Sequence, residues 1–321
     1  MHLTPPTYDN ILAARDRIAD AIVWTPLLRF DHDGRELWLK AEVLQRTGSF
    51  KIRGALNFIA ALAPEIREQG VVSFSSGSHA QGVASAAAEF GVPATIVMPS
   101  DAPEIKIRNT KNSGAKVVPY DRAGEDREAI AASIAAETGA LVLPPFDHSL
   151  TIAGQGVIGL EIVEDLESRG VEAASVVVPT SGGGLAAGIV LVAERSPMAI
   201  DVLVAEPRAY DDHRQSLAAG KRVRVATDEP SICDAALQPI PGEITFDVNR
   251  DRLAGAVVAT DNEVLAAMRF AFEKAKLVVE PGGALALAAF LAGQVPGDGP
   301  VVAVLSGGNV DPAVMERALR I

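Results

Sequence analysis

Short, almost wholly apolar runs alternate with helix-patterned segments along nearly the entire chain. The β-rich runs are Leu37–Lys40, Val71–Phe74, Ala94–Met98, Ala115–Pro119, Ala140–Leu143, Ser175–Val178, Asp201–Val204 and Val301–Leu305. Between them lie helical patterns at Gly54–Leu62, His79–Phe90, Glu125–Glu137, Val157–Glu167 and Asn262–Lys274. A strand apolar on both faces must be covered on both, which is the situation of a parallel strand between helices. The alternation therefore predicts an α/β protein with parallel sheets and helices on either side. Pro and Gly interrupt the pattern at Ala63–Gly70 and again at Pro144–Ser149, which marks the middle third as a smaller unit inserted in a larger one. The expected division is 67–148 for the small domain and 1–66 with 149–321 for the large one.

Charge and cysteine content narrow the function classes. A net charge of −12 argues against a nucleic-acid partner and against an anionic membrane surface. A small anionic substrate stays open, because a local field can oppose the global sign. The single cysteine, Cys233, excludes an internal disulfide framework. No charged-then-apolar leader opens the sequence and no apolar run reaches membrane-spanning length, so a soluble, cytoplasmic protein is the expectation.

In open α/β sheets ligands gather at the carboxyl ends of strands, and polar or glycine-rich motifs stand at such ends. "VVVPTSGGGLAAGI" (Val176–Ile189) runs from a strand through three glycines into a helix of small residues. Converging backbone N–H groups and a helix N-terminus make a cradle for one phosphate; a flexible turn is the competing reading. The run lacks the Gly-Lys-Ser/Thr of a nucleotide loop and the spacing of a dinucleotide fingerprint. "LQRTGSFKIRGALNF" (Leu44–Phe58) places Lys51 at the start of a helix, where a desolvated amine becomes nucleophilic, although a helical lysine is usually a surface group. "SFSSGSHAQGV" (Ser73–Val83) gathers neutral hydroxyls, an imidazole and an amide at a strand-to-helix junction. "VVAVLSGGNVD" (Val301–Asp311) ends a buried strand at Ser306 and two glycines.

Taken in order, "TGSFKIRGA", "SSGSHAQG", "SGGGLAAG", "VEPGG" and "LSGGN" resemble the fold type II pyridoxal-phosphate enzymes, on the threonine/serine dehydratase and serine racemase branch. The resemblance runs from Thr25-Pro26 to Asp311. It implies two open, mainly parallel twisted sheets flanked by helices, with pyridoxal 5'-phosphate as cofactor. Lys51 would attach covalently to the cofactor aldehyde and Phe50 would pack on its ring. Backbone amides of Ser181, Gly182, Gly183, Gly184 and Leu185 would hold the phosphate, Ser306 would face the pyridine nitrogen, and Glu280 would complete the cofactor site. Ser75, Ser76, Gly77, Ser78 and His79 would hold the substrate carboxylate, with Gln81 close by. Ser76 would be the acid/base of a racemase-like side activity. Relatives read "SSGNHAQG", so Ser78 replaces an asparagine that meets the cofactor's ring oxygen, and that contact is expected to weaken. The stretch "VAEPRAYDD" is similar to one that binds a divalent ion, which implies Glu206, Asp212 and the carbonyl of Tyr210 as ligands for Mg²⁺, Mn²⁺ or Ca²⁺.

The implied reaction is β-elimination from a small 3-hydroxy amino acid, L-threonine or L-serine first, giving a 2-oxo acid and ammonia. A neutral hydroxyl such as Ser306 cannot keep the pyridine nitrogen protonated, which favours expelling a β-substituent over transamination. Serine racemase and 3-hydroxyaspartate dehydratase are the alternatives. Arg127, in "GEDREAIAA", stands where a relative has an arginine for a second substrate carboxylate, but an arginine among Glu125, Asp126 and Glu128 is more often a surface helix charge, which makes 3-hydroxyaspartate the minority reading. Alanines at 235 and 236, after Cys233-Asp234, depart from the family's glycine and would narrow the pocket or fill packing space. Residues 312–321 alone follow "SGGNVD", so feedback control by isoleucine is not expected. A homodimer is usual for such enzymes.

Overall fold

The computed structural model describes residues 4–75, 77–102 and 104–321. Among the described residues ten strands form two sheets. The larger contains β1 (Leu27–His32), β2 (Arg35–Lys40), β7 (Ala173–Pro179), β8 (Ala199–Pro207), β9 (Gly255–Ala259) and β10 (Val301–Val304), in the order β1-β2-β10-β7-β8-β9. The smaller contains β3 (Val71–Phe74), β4 (Ala94–Pro99), β5 (Lys116–Tyr120) and β6 (Leu141–Val142), in the order β5-β4-β3-β6. Every pairing is parallel except β1 with β2, whose tight turn at Asp33-Gly34 only an antiparallel pair can use. The mainly parallel α/β architecture expected from the apolar runs is what forms.

The apolar runs explain where each element sits. β10 (VVAV) is buried along its whole length between β2 and β7. The helices Gly184–Ala193 and Pro281–Leu291 are apolar on all sides and buried almost throughout, because each packs between the large sheet and another helix layer. The helix Asn262–Lys274 of the sequence pattern resolves into an α-helix Asp261–Phe270 and a π-helical turn Ala271–Ala275 that ends at left-handed Lys276.

The loops at the carboxyl ends of the strands face one another across the two sheets. From the smaller sheet comes the turn after β3. The larger sheet supplies the turn after β7, the residues after β10, and the Arg46–Gly48 turn that leads into the helix Lys51–Ala60. Ser49 forms an isolated bridge with Gly307, and the Phe50 N–H donates to the Ser306 carbonyl at 3.1 Å. These bonds fasten the start of the lysine helix to the end of β10.

Candidate active site

A cavity of about 270 Å³ opens between the sheets, and Lys51 stands in its wall. The Lys51 amine donates to the Pro145 carbonyl at 2.9 Å and lies 4.9 Å from the centre of the Phe50 ring. Burial pushes its pKa down to about 8, opposed in part by the charge of Glu280. An amine in this setting is a far better nucleophile and base near neutrality than an exposed lysine.

The turn after β7 forms one wall. Ser181, Gly182, Gly183, Gly184 and Leu185 all line the cavity, and the helix Gly184–Ala193 begins inside this turn. Gly183 has φ +94, and a Cβ there would lie 2.6 Å from His213 Nε2 and 3.0 Å from both Asn249 Nδ2 and Thr245 Oγ1. Backbone conformation and crowding behind the turn both demand glycine. Thr245 Oγ1 donates to the Gly182 carbonyl at 2.6 Å and Asn249 Nδ2 to the Gly183 carbonyl at 3.2 Å. With those carbonyls held from behind, the turn's N–H groups are left for the cavity. Asp147 in turn caps the helix Glu243–Asn249 through the N–H groups of Glu243, Ile244 and Thr245. Sequence patterning missed this supporting layer, because each of its residues is an ordinary polar residue far from the glycines in the chain.

The junction after β3 forms the opposite wall. Ser75, Gly77, Ser78 and His79 line the cavity; Ser76 lies outside the described residues. Gln81 is not among the lining residues and continues the helix Ser78–Glu89. His79 is buried, and burial with the nearby Lys51 charge pushes it down to about 3, so its ring is neutral. His79 Nε2 lies 3.0 Å from Ser73 Oγ, which itself donates to the Leu143 carbonyl at 2.7 Å. That pattern assigns the proton to Nε2. The Ser78 hydroxyl donates to Glu280 Oε1 at 3.4 Å and accepts from Asn309 Nδ2 at 3.0 Å. Ser78 therefore joins three segments of the chain.

Ser306 and Glu280 occupy the floor, and Ser306 is 8% exposed. Burial, then the charge of Asp234, pushes Glu280 up to about 7, against Lys106, Ser78 and Lys51. Ala235 and Ala236 line the cavity beside Asp234, and Ala236 is also packed into the core of the larger sheet. The rim carries Lys106, Arg122 and Arg127. Lys106 pairs with Asp234 at 3.1 Å and Arg122 with Asp101 at 2.7 Å. Arg127 is half-buried with its guanidinium 5.5 Å from the centre of the Phe74 ring, and among the described residues no carboxylate pairs with it. The surface-charge alternative for Arg127 thus gives way to a cavity position.

Behind the glycine turn, Glu206 ends β8 and Asp212 and His213 open the helix Asp212–Ala219. Glu206 caps that helix, accepting from the N–H groups of His213 at 2.7 Å and Arg214 at 2.9 Å. Glu206, Asp212 and His213 are buried, and one ligand atom from each lies within 4.8 Å of the others. Asp212 is pushed up to about 7, chiefly by burial. For His213, burial acts downward, but contacts with Asp212 and Glu206 outweigh it and hold the ring up at about 9. Two buried carboxylates suit a divalent cation in donor chemistry. Tyr210 is buried beside them, its N–H donating to the Pro207 carbonyl at 2.9 Å.

A desolvated lysine, a glycine turn shaped for one phosphate and a neutral serine hydroxyl around one cavity fit pyridoxal phosphate, and they define an enzyme that uses it. The family described as pyridoxal-phosphate dependent enzymes matches residues 18–307, and the chain belongs to it. The L-threo-3-hydroxyaspartate ammonia-lyase of Saccharomyces cerevisiae is 39% identical over 311 residues, covering 95% of this chain and 94% of that protein. A serine racemase of Oryza sativa subsp. indica is 38% identical over 320 residues, covering 97% and 93%. Among solved structures, a threonine deaminase from T.th. superposes with a TM-score of 0.86 at 40% identity, covering 95% of this chain and 99% of that one. The protein is therefore an enzyme of the ammonia-lyase and racemase group within fold type II.

Proposed function

We propose that the enzyme performs β-elimination on a small 3-hydroxy amino acid, and that 3-hydroxyaspartate fits its cavity better than L-threonine or L-serine. The observation that carries this reading is the cationic rim, above all Arg127, sharing one cavity with Lys51 and the glycine turn. An arginine without a carboxylate partner, held over an aromatic ring at a cavity mouth, suits bidentate recognition of a second carboxylate.

Bound pyridoxal phosphate supplies the electron sink that makes a substrate Cα–H acidic. The chain's own residues do the rest. The backbone amides of Ser181 to Leu185 would take the phosphate and Phe50 would lie against the ring. Ser306, a hydroxyl without charge, would face the ring nitrogen. The junction Ser75–His79 binds the α-carboxylate with neutral donors, so no fixed charge competes with the amine. Lys51 removes the α-proton. Loss of that proton and of the 3-hydroxyl as water leaves an enamine, which hydrolyses to a 2-oxo acid and ammonia. Oxaloacetate, pyruvate or 2-oxobutyrate follows from 3-hydroxyaspartate, serine or threonine respectively.

The reading includes a structural divalent cation, Mg²⁺, Mn²⁺ or Ca²⁺, held by Glu206 and Asp212 with the Tyr210 carbonyl, away from the reacting atoms. It also includes cytoplasmic residence and a homodimer. For the dimer, the support is the exposure of Val23, Trp24 and Leu44, brought together by the paired bonds of Gln45 to the Val23 backbone. Among the described residues no helix is long and apolar enough to cross a membrane.

The test is ammonia and 2-oxo acid release from 3-hydroxyaspartate, serine and threonine by wild type and Arg127→Met. The expected result is the highest kcat/KM on 3-hydroxyaspartate. It should fall about 10- to 100-fold in the variant, the equivalent of about 1.4–2.7 kcal/mol for a charge-assisted pair, while serine changes less than about threefold. Equal loss on all three substrates would remove the dicarboxylate reading, and no release from any of them would remove the lyase.

A further inference from the structure

The cation of the proposed function is expected to sit among oxygens alone, from Glu206, Tyr210 and Asp212. The folded chain puts a nitrogen there as well. His213 Nδ1 lies 3.4 Å from Asp212 Oδ2 and 3.5 Å from Glu206 Oε1. Both spacings exceed normal N–H···O contact, and Asp212 Oδ2 and His213 Nδ1 are buried with no hydrogen-bond partner among the described residues. In the metal-free chain a proton on Nδ1 faces both carboxylates, and ligation would put the ion in that proton's place. Ligand bonds of about 2.1 Å would set neighbouring donor atoms roughly 3.0 Å apart at the right angle of an octahedral ion and roughly 3.4 Å apart at the tetrahedral angle. The observed spacings lie at the upper end of that range, close enough for a shared ion to draw the donors in.

The ring is also fixed in place. His213 is fully buried, and its Nε2 edge abuts the back of Gly183, where a Cβ would come within 2.6 Å of it. Asn249 and Thr245 close the same space. The imidazole therefore cannot swing away from the carboxylates, and the Nδ1 edge is the one presented to them. The helix N-terminus that carries His213 is itself capped by Glu206, so the ring and one carboxylate are held as a unit.

We propose that His213 Nδ1 is a ligand of this cation, beside Glu206 and Asp212, and that the site consequently selects a first-row divalent ion such as Mn²⁺ over Mg²⁺ and Ca²⁺. Magnesium and calcium take oxygen ligands, whereas an imidazole suits first-row transition ions and zinc. The inference rests on the cation included in the proposed function and is independent of which amino acid is the substrate.

The experiment uses the cofactor-loaded enzyme, stripped of metal with EDTA and dialysed. It is titrated calorimetrically with Mn²⁺, Mg²⁺ and Ca²⁺ separately, and the Mn²⁺ form is examined by pulsed EPR for nitrogen coupling. Wild type should bind one Mn²⁺ at least about 30-fold more tightly than Mg²⁺ or Ca²⁺, with a directly coupled nitrogen in the spectrum. In His213→Leu the nitrogen signal should vanish and Mn²⁺ affinity should fall at least about 10-fold. Asp212→Asn, which keeps the imidazole, should retain the nitrogen signal while losing affinity. The wild-type spectrum decides the matter even where a variant fails to fold. No Mn²⁺ binding, Mn²⁺ without nitrogen coupling, or Mg²⁺ and Ca²⁺ within about threefold of Mn²⁺ would each overturn the inference. Absence of lyase activity alongside an intact nitrogen signal would count against the proposed function alone.

Discussion

Lys51 differs from the other lysines by its surroundings. The amine is buried against the Pro145 carbonyl and the Phe50 ring, and this desolvation outweighs the attraction of Glu280. Lowering a lysine from 10.5 to about 8 means that the neutral amine dominates above that pH instead of about two units higher. In enzyme freed of cofactor, the rate at which Lys51 adds pyridoxal phosphate should therefore rise with pH through a midpoint near about 8 and level off above it. Stopped-flow absorbance at the imine band would follow it. A midpoint above about 10 would mean that Lys51 is solvated in the free enzyme. Lys51 could be found in the sequence because its neighbours "TGSF" and "IRGA" are distinctive. Arg127 and His213 could not be placed that way. Arg127 sits among acids that suit any surface helix, and only the packing of the smaller sheet turns it toward the cavity. His213 acquires meaning from Glu206, across a strand-to-helix turn, and from Gly183 in the turn after β7. Ser78 was visible as a departure from the family, but its bonds to Glu280 and Asn309 were not, since those partners come from the far end of the chain.

The helix that begins at Lys51 is held by charges rather than by apolar contact alone. Arg53, in its first turn, donates to Glu42 Oε1 and Oε2 at 2.8 Å each and to Glu161 at 2.6 and 3.0 Å. Lys40 of β2 pairs with Glu161 at 2.6 Å, and all four side chains are at most 1% exposed. Two cations and two carboxylates balance, with β2, the turn after it, the lysine helix and the helix Ser149–Ser168 joined at one point. Such a network adds little over well-packed apolar residues, but removing one member leaves a buried charge unpaired. Arg53→Met should cost about 3–5 kcal/mol in urea unfolding, and Arg53→Lys, which lacks the planar fork, should fall in between. A loss below about 1 kcal/mol would show that the network is hydrated. The central strands were plain in the sequence because burial on both faces leaves them wholly apolar. β1 (LLRFDH) and β9 (GAVVA) were not, because both lie at sheet edges where part of each strand faces outward and the apolar run is broken or short. The helix Pro281–Leu291 was hidden by the two glycines in its first turn, which let Gly283 approach the backbone of Gly307.

A chain of net charge −12 must still attract an anionic cofactor, and on this proposal a dianionic substrate as well. It does so by concentrating Lys51, Lys106, Arg122 and Arg127 at the cavity that holds the glycine turn. Asp234 opposes that field. It comes from the segment after the helix Asp212–Ala219, reaches Lys106 at 3.1 Å on the helix Glu104–Asn112 beside the smaller sheet, and remains about half exposed. An exposed pair of this kind contributes at most about 1 kcal/mol to stability, so its placement at the cavity mouth is better explained by what enters there. A substrate carboxylate arriving near Lys106 must compete with Asp234 for the same ammonium. At roughly 7 Å and an effective dielectric near 40, one negative charge repels another by about 1 kcal/mol, equivalent to about fivefold in binding. Asp234→Asn should therefore lower KM for 3-hydroxyaspartate by about that factor while serine, with no second carboxylate, changes little. Unfolding stability should stay within about 0.5 kcal/mol of wild type, as for other exposed substitutions. The salt dependence gives a further check: the advantage of the variant should shrink as ionic strength rises, because screening weakens the repulsion that Asp234 exerts. An equal KM change for serine and 3-hydroxyaspartate would mean that Asp234 shapes the cavity sterically, and the rim cations would then need another explanation.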